Sequence, residues 1–307
     1  MGTLPPAGAQ TDEQIIRMFL SLLSQSAYTV RNYKRAIELF RQFIAYMPLG
    51  EVTWREIEAF KLSLTHGLAT PKQVPMAPAT VASLLAPIRS LYKWGSDPSI
   101  GLFQRNPTTG VRTPKVSVTS KNHYLTRREV IIFLNQLKTQ GLRDYLIGLT
   151  LVMLGLRVSE LIEIKWKDFH CDPAETSIWL TIERGKGGKL RDVKVPPMLW
   201  VKYKEYVQAV VHLDPYLQLF PLSVRQVERI VRLAREKCNI GKKITPHWLR
   251  HTNATLALLN GASLQQVQEN LGHSHITTTQ RYLHTVEQMQ KAAPDYVESC
   301  LKEAIKM

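Results

Sequence analysis

Apolar positions fall at helical spacing along most of the chain. Ile15, Phe19 and Leu22 mark a first helix. Tyr33, Ile37, Phe40 and Ile44 mark a second, with Arg31, Lys34, Arg35 and Arg41 set between them as a basic stripe. Thr53 and Glu56 have the spacing of a capping box and open a third helix that runs through Ile57 and Phe60 to Leu64. Thr80 opens a fourth, with Leu84, Ile88, Leu91 and Tyr92 on its apolar side. Four amphipathic helices with short connections predict a small all-α bundle over residues 11–105. Residues 1–10, rich in Pro, Gly and Ala, are expected to be disordered. From Asn106 to His123 the periodicity disappears among turn formers and basic residues, the pattern of an interdomain linker.

A second domain is expected over residues 124–307. Thr126 and Glu129 form another capping box, ahead of Val130, Ile131, Phe133 and Leu134. The apolar run Tyr145–Leu156 is long enough to predict a buried helix. The period then changes to two. Ile178, Leu180 and Ile182 alternate with Trp179 and Thr181, Gly185-Lys186-Gly187-Gly188 follows, and Leu190 to Val195 resumes the strand pattern. This predicts a β-hairpin with Lys186 at or near its tip. The rest reads as helix, interrupted at Gly241, Gly261 and Leu271-Gly272. A last helix over Asp295–Lys306 places Val297, Cys300, Leu301 and Ile305 on one face. The fold class is therefore mainly α, with a small β element in the C-terminal domain.

Charge narrows the class of partner. Forty Lys and Arg against twenty-five Asp and Glu give +15, which favours a polyanion, and nucleic acid above others. No stretch approaches the ~18 uninterrupted apolar residues of a membrane span. The opening MGTLPPAGAQ lacks the basic and apolar segments of a secretory signal, and Pro6 excludes a myristoylation motif. Cys171, Cys238 and Cys300 are scattered and odd in number, so neither a disulfide framework nor a cysteine metal site is expected, and a cytoplasmic location fits.

Candidate chemistry concentrates in Pro246-His247-Trp248-Leu249-Arg250-His251, Leu271-Gly272-His273 and Tyr282. His247 and Arg250 are three apart on a helix and so address one anion together. Gly272 ends a helix and puts His273 at a turn, and Thr277, Thr278 and Thr279 offer an N-cap for the helix of Tyr282. The set suits phosphoryl transfer: guanidinium groups for the non-bridging oxygens, a proton donor for the leaving oxygen, and a nucleophile that neighbours must help, since a phenol has a pKa near ~10. His247 with His251, and His273 with His275, have spacings seen at zinc sites. Without a third ligand and a general-base Glu, they rank below phosphate binding. Glu160 reads as an orienter or ion-pair partner of Arg157, and Trp166 and Trp248 as core residues.

In that order along the chain, these pieces resemble the tyrosine recombinase (phage integrase) family, which includes the Xer recombinases. Gly155-Leu156-Arg157-Val158-Ser159-Glu160-Leu161 resembles the box of the first arginine, and Gly185-Lys186-Gly187 that of the lysine. His247-Trp248-Leu249-Arg250-His251, Leu271-Gly272-His273-Ser274 and Thr278-Thr279-Gln280-Arg281-Tyr282 resemble the remaining boxes. Thr29-Val30-Arg31-Asn32-Tyr33 and the stretch from Asn106-Pro107 to Pro114-Lys115 resemble the core-DNA-binding domain and its exit.

The resemblance implies a SAM-like core-DNA-binding domain followed by a recombinase catalytic domain. It implies strand cleavage through a 3′-phosphotyrosyl link to Tyr282, with Arg157 and Arg250 on the scissile phosphate. Lys186 is the implied general acid, with Lys189 close enough to be the alternative. His247 is implied as acid/base near the nucleophile, and His273 as a phosphate ligand. No metal or cofactor is implied. The expected partners are a double-stranded DNA site and a tetramer, of identical copies or with a paralogue, with the protein on the nucleoid. A supercoil-relaxing nicking enzyme and a non-catalytic DNA-binding regulator are the competing classes. The separate helical bundle and the intact catalytic set favour the recombinase. No segment resembles an arm-binding module, which favours a two-domain system.

Overall fold

The structure, a computed structural model, describes residues 10–23, 27–68, 74–115, 123–183, 190–209, 214–290 and 293–302. The chain divides into two compact units, 1–118 and 119–307.

The first unit holds α1 (Asp12–Leu22), α2 (Ala27–Phe43), α3 (Trp54–His66) and α4 (Pro78–Gly95). Ile15, Phe19, Ile37, Phe40, Phe60, Ile88 and Leu91 fill its core, with Phe40 meeting Phe60 edge-on at 5.2 Å. Thr53 and Glu56 form the expected capping box. Three details differ from the pattern. Leu22 is exposed. α4 starts at Pro78, two residues before Thr80, because proline's fixed φ and missing N–H suit the first helical position. Arg41 is buried, not part of a solvated stripe: it pairs with Asp12 and donates to the Met47 carbonyl at 2.7 Å. Arg31, Lys34 and Arg35 remain exposed.

The second unit starts with α5 (Arg127–Gln140) and α6 (Leu142–Leu154), and then the single turn α7 (Val158–Leu161). The strands are β1 (Phe169–Cys171), β2 (Ile178–Ile182) and β3 (Arg191–Val195). The helices α8 (Pro197–Ala209), α9 (Val224–Lys237), α10 (Pro246–Leu259), α11 (Leu264–Leu271), α12 (Ile276–Gln290) and α13 (Ala293–Leu301) complete it. The apolar run predicted as a buried helix is α6, and α5, α8, α9 and α10 pack around it. Gly148 admits α5 closely: a Cβ there would lie 2.2 Å from Leu137 Cδ1. The sheet is antiparallel in the order β1-β2-β3, with Leu180 paired to Val193 and to Phe169. Leu180, Ile182, Val193 and Val195 bury one face. β1 was not expected, since three residues show no alternation. Trp166 is half-buried and stacks on Trp200 at 5.0 Å. The residues between β2 and β3 that include Lys186 and Lys189 lie outside the described ones.

Candidate active site

The site is assembled where three helix ends meet. α6 ends on Gly155, whose φ of 64° turns the chain straight into Leu156 and Arg157. That φ is left-handed, and a Cβ on Gly155 would also lie 2.5 Å from Asn253 Oδ1. The terminal carbonyls of α6 lack partners within their own helix, and other elements satisfy them. Asn253 Nδ2 donates to the Val152 and Met153 carbonyls at 2.9 and 2.8 Å. Asn270 Nδ2 donates to the Leu154 carbonyl at 3.1 Å. Arg250 Nη1 donates to the Gly155 carbonyl at 2.7 Å, and Nη2 to the Leu271 carbonyl at 2.5 Å. The buried Arg250 thus sits at the negative ends of both α6 and α11, where a cation is favoured.

Glu160 organises the charge. Its Oε2 accepts the Arg157 backbone N–H at 2.8 Å, and its Oε1 the Arg157 Nη1 at 2.7 Å. Arg191, brought in by β3, donates to both carboxylate oxygens at 3.0 and 2.8 Å and to the Asn270 carbonyl at 3.0 Å. Arg250 Nη1 lies 3.9 Å from Oε2. Burial alone pushes the Glu160 carboxyl up. The hydrogen bond and charge of Arg191, and then those of Arg157, outweigh it and hold the group at about 2. One carboxylate against three guanidinium groups leaves two positive charges for an incoming anion.

Beside this cluster, Arg250, His247, His251, His273 and Tyr282 line a cavity of about 200 Å³. Arg157 joins through Glu160, and its charge acts on His247, His273 and Tyr282. The Tyr282 hydroxyl is 2.6 Å from His251 Nδ1. His273 Nδ1 is 2.9 Å from the Thr279 hydroxyl, which holds the ring's orientation and leaves Nε2 for a ligand. The Tyr282 helix begins at Ile276, so Thr277 to Thr279 lie inside its first turn and do not cap it. Thr279 is spent on His273 instead. His247 meets His251 edge-on, with ring centroids 4.3 Å apart. Trp248 is half-buried against His123, a linker residue by its sequence, at 4.6 Å.

Burial and the surrounding cations decide the protonation states. Burial first, and then His247, His123, Arg250 and His273, hold His251 down at about 3. Burial, Arg250 and Arg157 hold His273 at about 4. Desolvation and the same arginines lower His247. Burial raises the Tyr282 phenol against the pull of Arg250, Arg281 and Arg157. At neutral pH the cavity therefore holds a protonated phenol and neutral imidazoles beside fixed guanidinium charge. Among the described residues no group of three His, Cys, Asp or Glu is placed to hold a metal ion.

The structure brings together five of the six expected site residues, Arg157, His247, Arg250, His273 and Tyr282, while Lys186 lies outside the described residues. Three residues of the site were not legible as such. Arg191 shows no local signal, since only strand register carries it to Glu160. His123 stood in the linker pattern. The i, i+4 spacing of His251 from His247 was visible, but it was weighed only as a zinc spacing ranked below phosphate binding, and it gave His251 no role toward Tyr282.

The sequence pattern of the Phage integrase family matches residues 123–289. A tyrosine recombinase of Pseudothermotoga lettingae is 30% identical over 252 residues, which cover 81% of this chain and 85% of that protein. Tyrosine recombinase XerD of Listeria monocytogenes is 30% identical over 276 residues, covering 85% and 89%. Among solved structures, a lambda integrase tetramer bound to a Holliday junction aligns with a TM-score of 0.69 at 19% identity, over 90% of this chain and 78% of that one. The XerH site-specific recombinase bound to a palindromic difH substrate aligns with a TM-score of 0.65 at 20% identity, over 93% and 84%. Likeness at that identity is one of fold, and it matches the mainly helical architecture with its small sheet. With the family pattern covering the catalytic unit and relatives aligned along most of their length, the chain belongs to the phage integrase family, the tyrosine recombinases.

Proposed function

We propose that this chain recombines DNA at specific sites by breaking and rejoining strands. Tyr282 Oη attacks the scissile phosphorus, a 3′-phosphotyrosyl link forms, and the 5′-oxygen leaves as a hydroxyl. A 5′-hydroxyl from the paired duplex then attacks the link, and a Holliday junction connects the two exchanges. The bond energy stays in the phosphotyrosyl ester, so the cycle is balanced without a further energy source.

The observation that carries this reading is one cavity shared by Tyr282, Arg250, His247 and His273 beside a cluster with two surplus positive charges. Arg157 and Arg250 are assigned to the non-bridging oxygens, where fixed donors stabilise the charge that develops in the transition state. His273, oriented by Thr279, adds a ring nitrogen to the same phosphate. Lys186 is assigned as the acid for the 5′-oxygen, with Lys189 as the alternative.

On a nicked suicide substrate the wild-type protein is expected to trap a covalent protein–DNA adduct. Tyr282→Phe is expected to keep specific binding and give none. An adduct that forms unchanged in Tyr282→Phe removes Tyr282 from the mechanism. The working assembly is assigned as four copies, identical or shared with a paralogue, on two paired sites. The DNA-bound tetramer of lambda integrase and the exposed apolar residues of α13 support it. A place on the nucleoid follows from that substrate.

A further inference from the structure

We propose that His251, and not His247, takes the proton from Tyr282 as the phenol attacks, an inference that rests on the recombinase reading above. His251 Nδ1 lies 2.6 Å from the Tyr282 hydroxyl, within the range where a proton moves between heavy atoms without a bridging water. The ring is held in place for this. His247 abuts it edge-on at 4.3 Å, His123 lies at 6.4 Å, and the Tyr282 ring itself packs at 5.3 Å. His123 is in turn fixed by its stack on Trp248. The aromatic contact of His247 is thus with the base, and it serves as a positioning residue.

The ionisable surroundings suit a proton that is held briefly. The groups acting on His251 are His247 and Arg250 on its own helix, His123 ahead of α5, and His273 ahead of α12. None of these is an anion, so the imidazole stays neutral at rest and its Nδ1 lone pair accepts the Tyr282 O–H. In the forward step the Tyr282 O–H bond breaks, the proton passes to His251 Nδ1, the Oη–P bond forms and the P–O5′ bond breaks, while the lysine assigned above protonates the leaving 5′-oxygen. In the rejoining step the incoming 5′-hydroxyl gives its proton to that same lysine as its oxygen bonds to phosphorus, the Oη–P bond breaks, and the imidazolium returns its proton to Oη. An imidazolium crowded by cations is a strong acid, which is what a departing phenolate requires. A free phenolate forms in neither direction.

The test uses the full chain on a nicked site carrying a 5′-bridging phosphorothiolate. The thiolate leaves without a proton, so the pH profile reports the nucleophile's side alone. His251→Asn retains a hydrogen-bond acceptor but is no base. It is expected to bind the site normally and to slow adduct formation at pH 7 by roughly 10²-fold, the lower end of general-base catalysis, because a base as weak as His251 titrates far below the operating pH. Its rate should then climb about tenfold per pH unit as hydroxide replaces the base, and added imidazole should restore His251→Ala. Wild type and His247→Asn should keep flat profiles near neutral pH.

A slope acquired by His247→Asn in place of His251→Asn overturns the proposal. So does a defect in His251→Asn that is equal at every pH. Should the His251 variants fail to bind DNA, ¹⁵N-histidine spectra of the wild type decide. The His251 Nδ1 resonance must shift in Tyr282→Phe, and no shift in any histidine nitrogen overturns the contact. Wild type that forms no adduct refutes the recombinase reading itself, whereas an adduct with unaltered His251→Asn kinetics refutes only the base.

Discussion

Glu160 keeps a full negative charge although its side chain is only 1% exposed, because each carboxylate oxygen is met by guanidinium donors. A buried charge is tolerated when it is paired and hydrogen-bonded, and removing one partner leaves the others uncompensated. The folded chain holds this carboxyl at about 2, below its ordinary 4.5, so it contributes stability above pH 4.5 that is lost as the pH falls toward 2. The contribution is on the order of 3 kcal/mol. His251 and His273 act in the same direction over a higher range. Their folded values near 3 and 4 lie below the ordinary 6.5, so the unfolded chain takes up protons first and stability drains as the pH falls below 6.5. Glu160→Gln is expected to be less stable than wild type, with the gap widest above pH 4.5 and closing toward pH 2. Denaturant titrations across that range measure it, and a gap that does not change with pH would mean the carboxylate is not paired as described.

The junction of α6 and α7 shows how an element end carries a site. Gly155→Ala is expected to lose roughly 1–2 kcal/mol to its left-handed backbone. It should also lose about 1 kcal/mol for each Asn253 hydrogen bond that the new methyl displaces. Gly261, at φ 91° with nothing near its missing Cβ, is the control. Gly261→Ala should show the backbone loss alone, and thermal melts that rank the two equally would refute the packing account. Cleavage should fall further in Gly155→Ala than the stability loss explains, since the Gly155 carbonyl anchors Arg250.

The junction also marks the limit of reading by sequence. The capping boxes at Thr53 and Thr126, the alternation of β2 and the glycine end at 272 were legible because the cause lies within a few residues. The burial of Arg41 depends on Asp12, 29 positions away, and the role of Arg191 on a carboxylate 31 positions away. The partner of His251 exists only once α12 has folded onto α10. Local pattern contains none of these.

At the scale of the molecule, the excess of fifteen positive charges has two destinations. Part gathers inside the catalytic unit around Glu160, and exposed cations such as Arg31, Lys34 and Arg35 attract phosphate backbone in binding that weakens with salt. The assembly proposed above draws on a different feature. In α13 no described residue is buried, and Tyr296, Val297 and Leu301 are 60%, 57% and 44% exposed, with Cys300 exposed beside them. Ile305, expected on the same face, lies outside the described residues.

A nine-residue helix is marginal in water without an apolar face to cover, and clustered exposed apolar residues mark interaction sites. If another copy covers that face, truncation before Asp295 removes a contact between protomers. The truncated chain should then bind a single site with unchanged affinity and keep its melting temperature, while the complex pairing two sites weakens. Gel shifts with one site and with two separate these outcomes. A drop in melting temperature with pairing intact would instead place the helix on its own catalytic unit. The two results differ because a contact between copies depends on protein concentration and one within a chain does not.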